Sequence, residues 1–107
     1  MAIPRFRVPA TAKKGDVIAI KTLIQHPMDP GFIKDKNGKI IPRMIINHFD
    51  CKYLGKVIFT AKLEPSISAN PFIEFYARAE ADGDFEFTWI DDKGTITKAK
   101  APIKVTA

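Results

Sequence analysis

The chain has one cysteine in 107 residues, Cys51, so no intramolecular disulfide holds it together and its core has to come from packing alone. A domain of this length buries roughly 60–70% of the surface its unfolded chain exposes, which is enough. That lone thiol leaves the redox compartment open. Long hydrophobic runs are also missing: no stretch approaches the ~20 apolar residues that span a bilayer, and a soluble protein is expected. The opening residues, MAIPRFRVPATAKKG, lack the apolar run of about 7–15 residues that marks a signal peptide, so none is expected. None of the six glycines falls in a GxGxxG or GxxxxGK[ST] pattern, so nothing points to phosphate cradling. Histidines are limited to His26 and His48, and none follows Cys51. Copper carriers built on a β-sandwich need such a histidine. His48 and Cys51 lie three apart on one expected strand and so face opposite ways. A metal site made from His26, Met44, His48 and Cys51 is therefore not expected, nor is any cofactor.

What is present is a succession of short runs rich in Val, Ile, Phe, Tyr and Thr, separated by turn residues. That spacing predicts an all-β, immunoglobulin-like antiparallel β-sandwich in a single domain, residues 1–107, with about seven strands. The expected strands are approximately 5–8, 16–25, 43–54, 56–63, 72–81, 84–91 and 95–106. Glycines at Leu54-Gly55, Asp82-Gly83 and Lys93-Gly94 suggest three tight hairpins. The eight prolines fall mostly at element ends, where the missing N–H does no harm.

Alternation assigns the faces. In 84–91, Phe85, Phe87 and Trp89 point one way and Glu86 and Thr88 the other. In 43–54, Ile45, Asn47, Phe49, Cys51 and Tyr53 share a face, although both faces are apolar near the strand's start. Cys51, between Phe49 and Tyr53, reads as a small buried hydrophobe with a raised pKa and not as a nucleophile. In 72–81 the inward set is Ile73, Phe75, Ala77 and Ala79, and the outer side carries Glu74, Arg78 and Glu80 but also Phe72 and Tyr76. Two aromatics on an otherwise polar face imply a second cover, either a long loop or another chain. The irregular segments 26–42 and 64–71 mix turn residues with apolar anchors, among them Met28, Phe32, Ile33, Ile40, Ile41 and Ile67. Loops of that kind often carry partner contacts. Phe72, Tyr76, Met28 and Phe32 are the expected interface residues, and no catalytic residue is expected.

The net charge of +5 favours acidic partners, anionic substrates or nucleic acid, and its sign alone does not choose between them. Lys98, Lys100 and Lys104 lie on one face of the last strand. Such a ladder usually just protects an edge, although it also suits an acidic protein surface or nucleic acid. The cluster Lys34, Lys36, Lys39 and Arg43 is diluted by Asp29 and Asp35. Asp91-Asp92 reads as a turn former.

Four stretches taken together, RVPATAKKGDVIAIKTLIQHPMDPG, KDKNGKIIPRMIINHF, SISANPFIEFYARA and FEFTWIDDKG, resemble the SoxZ family of bacterial thiosulfate oxidation. They run in family order over nearly the whole chain. The resemblance implies an immunoglobulin-like, non-enzymatic scaffold that pairs with SoxY. In that family the partner's glycine-rich C-terminal arm holds the sulfur intermediate on a cysteine and presents it to pathway enzymes. The segment ITKAKAPIKVTA here has neither glycine nor cysteine and reads as a strand, so the covalent chemistry is expected on the partner. The resemblance further implies a periplasmic location, reached by export together with a signal-bearing SoxY, and neither nucleic acid nor membrane as partner. The alternative reading is a stand-alone basic module that binds an acidic protein or nucleic acid through the last strand.

Overall fold

Alternating apolar and polar residues in short runs leave each strand one face to bury, and two sheets packed face to face meet that need. The computed structural model describes residues 3–64, 67 and 69–107. Among them it forms eight strands: β1 (Ile3–Arg7), β2 (Thr11–Lys13), β3 (Val17–Gln25), β4 (Ile46–Tyr53), β5 (Lys56–Lys62), β6 (Phe72–Arg78), β7 (Gly83–Asp91) and β8 (Ile96–Thr106). One sheet has the order β1-β3-β6 and the other β2-β8-β7-β4-β5. The fold is thus the immunoglobulin-like sandwich expected.

The inner faces interlock in a single core. Ile18, Ile20 and Ile24 of β3 and Phe75 and Ala77 of β6 meet Phe49, Cys51 and Tyr53 of β4, Phe85, Phe87 and Trp89 of β7, and Ala101 and Ile103 of β8. Phe49 sits at its centre, with ring centroids 5.2 Å from Trp89, 6.1 Å from Phe59 and Phe75 and 6.2 Å from Phe87. Burial of such side chains contributes about 1.5–3 kcal/mol each and is the main favourable term.

Some expectations need correcting. The strand count is eight, because the three-residue β2 pairs in parallel with β8 where only antiparallel pairs were expected. The strand expected from 43 begins at Ile46, and a register shift between Ile46 and His48 turns Ile45 and Ile46 both inward. That irregularity explains why both faces looked apolar there. Asn47 is displaced from the inward set, and its side-chain amide donates to Asp92. Leu54-Gly55 and Lys93-Gly94 are hairpin turns, with φ of 54° and 79° at the first pair. Asp82-Gly83 is not one: β6 and β7 belong to different sheets, so the chain crosses the sandwich there.

Tyr53 fixes that crossing. Its hydroxyl donates to the Ala81 carbonyl and accepts from the Glu80 and Ala81 N–H groups at 3.2 and 3.1 Å. Removing the hydroxyl in Tyr53→Phe leaves three backbone groups without their partner, and a loss of about 1–3 kcal/mol is expected in urea unfolding. An unchanged midpoint would show that the crossing holds without it.

Candidate partner-binding face

The outer face of the β1-β3-β6 sheet is set by register. Successive rows across the strands run Arg5, Leu23 and Phe72, then Arg7, Lys21 and Glu74, then Ala19 with Tyr76, and Val17 with Arg78. On β3 both parities are apolar, the inward Ile18, Ile20 and Ile24 and the outward Val17, Ala19 and Leu23. A strand apolar on both faces is the pattern of one covered on both sides. Phe72 is 58% exposed and Tyr76 66%, with Val17 and Ile3 equally open. Among the described residues no loop covers them.

The apolar surface continues around the side of the sandwich. β6 and β5 are edge strands of their sheets, and Phe59 of β5 stacks on Phe75 of β6, which brings the two edges to the same side. A cleft of about 230 Å³ between them is lined by Tyr76, Arg78, Tyr53 and Ile58, and Ile58 and Val57 are exposed on β5. Free edges flanked by exposed apolar side chains are places where a second polypeptide adds on. A groove of similar volume lies on the β1 side, lined by Phe6, Leu23 and Phe72 and by Arg5, Arg7 and Lys21.

The structure does not bring the four expected interface residues together. Phe72 and Tyr76 share the outer face. Phe32, 74% exposed, stands apart in the loop between β3 and β4, near exposed Ile33 and Ile40. Met28 is corrected: at 3% exposure it belongs to the core, in the left-handed region at φ 53°, and its sulfur accepts the Ile46 N–H. Sequence reasoning passed over Val17, Leu23, Arg5 and Arg7. The two-parity pattern of 17–24 was the available signal.

The reactive groups are committed elsewhere. His26 Nδ1 accepts the Met28 N–H at 3.0 Å, which puts the ring proton on Nε2 and leaves no lone pair for a metal. Burial pulls its pKa below the ordinary value, against the attraction of Asp91, Asp29 and Asp92. His48 lies beside Asp50, 2.8 Å away, on the outer face of the five-stranded sheet, opposite to Cys51. Asp91 caps the β7-β8 turn by accepting from Lys93 N and Thr95 N, while Asp92 gathers Arg43, Asn47 and the Ile45 N–H. On β8, the Lys100 ammonium lies 3.8 Å from Glu86.

Cys51 is fully buried, and that burial, then the nearby Asp50 and Glu86, pushes its thiol up to about 12. The thiolate is the reacting species, so folded protein at pH 8 is expected to resist iodoacetamide and to react only once unfolded by guanidinium. Stoichiometric alkylation within minutes in the native state would contradict this placement.

The chain matches the family described as Sulphur oxidation protein SoxZ over residues 6–102. No curated protein matches it. Among solved structures, the superoxide reductase (neelaredoxin) from Ignicoccus hospitalis has a TM-score of 0.70 at 15% identity, over 95% of this chain and 79% of that one. The sulfur carrier protein SoxY from Chlorobium limicola f thiosulfatophilum has 0.69 at 11% identity, over 97% and 79%. A PKD domain of an M14-like peptidase from a Thermoplasmatales archaeon has 0.56 at 12% identity, over 98% and 94%. At such identities the likeness is one of fold.

Proposed function

Given that the chain belongs to the SoxZ family and so to sulfur oxidation, we propose that it is the non-enzymatic scaffold subunit of a heterodimer with a SoxY-like carrier. In this role it supports the carrier while the partner's cysteine arm is presented to the enzymes of thiosulfate oxidation. The observation that carries the reading is the outer face of the β1-β3-β6 sheet, where Phe72, Tyr76, Val17 and Ile3 stand exposed. Exposed aromatic and aliphatic side chains gathered on one sheet face are what a stable interface buries.

Two features support a scaffold over an enzyme. The thiol of Cys51 is sealed in the core, and the imidazole of His26 is occupied by Met28. The proposal puts the sulfur chemistry on the partner and the complex in the periplasm, reached by co-export with a signal-bearing SoxY. The stand-alone reading through β8 is weaker, because its lysine ladder is partly neutralised by Glu86. Co-expression of the untagged chain with a tagged SoxY-like subunit tests the pairing. A one-to-one complex is expected on size exclusion. Elution of the untagged chain in the unbound fraction would refute the proposal.

A further inference from the structure

Resting on the reading just given and deepening it, we infer that the β1 side of the outer face recognises carboxylates arranged around an apolar side chain of the partner, so that it selects a different, acidic protein over a second copy of this chain. The groove there, about 230 Å³, is lined by the apolar Phe6, Leu23 and Phe72 together with Arg5, Arg7, Lys21 and Thr22. Arg5 stands in register with Leu23 and Phe72, and Arg7 with Lys21 and Glu74, so the three cations form a band across two adjacent strands.

Their charge is not spent within the chain. Among the described residues none of the three has a carboxylate within 4.0 Å, the ion pairs being Arg43–Asp92, His48–Asp50, Lys62–Glu64 and Lys100–Glu86. Arg78, further along the same face, donates to the Gly15 carbonyl at 2.9 Å. Glu74 is the one acid on the outward rows, and it accepts the Tyr76 hydroxyl.

The consequence is a choice of partner. Two copies meeting through this face would bring four cations against four, with one acid on each side, and like charges held close under an apolar contact are strongly unfavourable. A surface with carboxylates around a protruding apolar residue removes that repulsion and adds bidentate arginine contacts. The apolar lining argues for a protein over a phosphate backbone, whose charges are not set around a hydrophobic side chain.

The test compares Arg5→Glu/Arg7→Glu, the conservative Arg5→Lys/Arg7→Lys and Phe72→Ala for binding to the SoxY-like subunit at 50 and 500 mM NaCl, each variant first checked for folding by circular dichroism. The double reversal is expected to weaken binding on the order of 10- to 100-fold at low salt, mainly in the association rate, with the deficit shrinking at high salt. The lysine pair, which keeps the charge but loses the bidentate fork, should weaken binding less than the reversal does, and Phe72→Ala should weaken binding alike at both salts. If the reversal binds like wild type while Phe72→Ala is weakened, carboxylate recognition is overturned and the face stands. If neither changes binding, the face falls too. Capture of a single-stranded oligonucleotide that is lost in the reversal would assign the cations to phosphate and overturn the inference.

Discussion

Phe49→Ala is expected to cost about 3–5 kcal/mol, the range for deleting a buried phenylalanine and leaving a cavity that the surroundings fill only in part. Phe49 has no exposed surface and touches aromatic rings from β5, β6 and β7, so both sheets lose contacts at once. Its neighbours are themselves locked: Phe59 stacks on Phe75 with ring centroids 4.4 Å apart, and so cannot easily swing into the gap. For a domain of this size the loss lowers the melting temperature on the order of 15–20 °C. The lone tryptophan, Trp89, is 1% exposed and in contact with Phe49, so its fluorescence reports the transition directly. Phe49→Leu, which keeps most of the volume, should lose much less. A cost below about 1 kcal/mol for the alanine variant would mean that the two sheets are held together elsewhere.

The second large effect is on association and leaves the fold alone. Phe72 and Tyr76 are more than half exposed in the isolated chain, so their replacement by alanine should change its stability by no more than about 0.5 kcal/mol. In the proposed complex they act as aromatic anchors. Truncating one such anchor costs roughly 2 kcal/mol, which is about 30-fold in affinity, and truncating both approaches 1000-fold if the effects add. Calorimetric titration of the SoxY-like subunit into each variant checks this. A double variant that is stable yet binds as tightly as wild type would remove the outer face from the interface.

How far such a reading reaches from sequence alone depends on periodicity. β7 was plain because Phe85, Phe87 and Trp89 alternate strictly with polar residues, and they are all buried. The start of β4 was not, because the register shift near Asn47 breaks the period that assigns faces. β2 is too short to show any period, and its pairing with β8 joins residues some ninety positions apart, which no local pattern records. Asp82-Gly83 misled because a turn dipeptide looks the same in a hairpin and in a crossing between sheets; only long-range pairing tells them apart. Met28 and Phe32 sit in one loop with the same apolar character, yet one is buried and the other open, since a loop has no alternation to separate them.

The candidate face was legible in part. Phe72 and Tyr76 stood out because they break an otherwise polar side. Arg5 and Arg7 did not, because a short terminal strand of mixed residues shows no face until it is paired with β3. The His26 ring was visible as a residue but not as a committed acceptor, because a bond to the backbone two residues on has no signature in the sequence.

Hydroxyl-radical footprinting of the chain, alone and in its complex with the SoxY-like subunit, tests the central claim most directly. Protection of Phe72 and Tyr76 on complex formation, with exposed Phe32 left reactive as an internal control, is the result this account predicts. Unchanged oxidation of Phe72 and Tyr76 in a stoichiometric complex would contradict it.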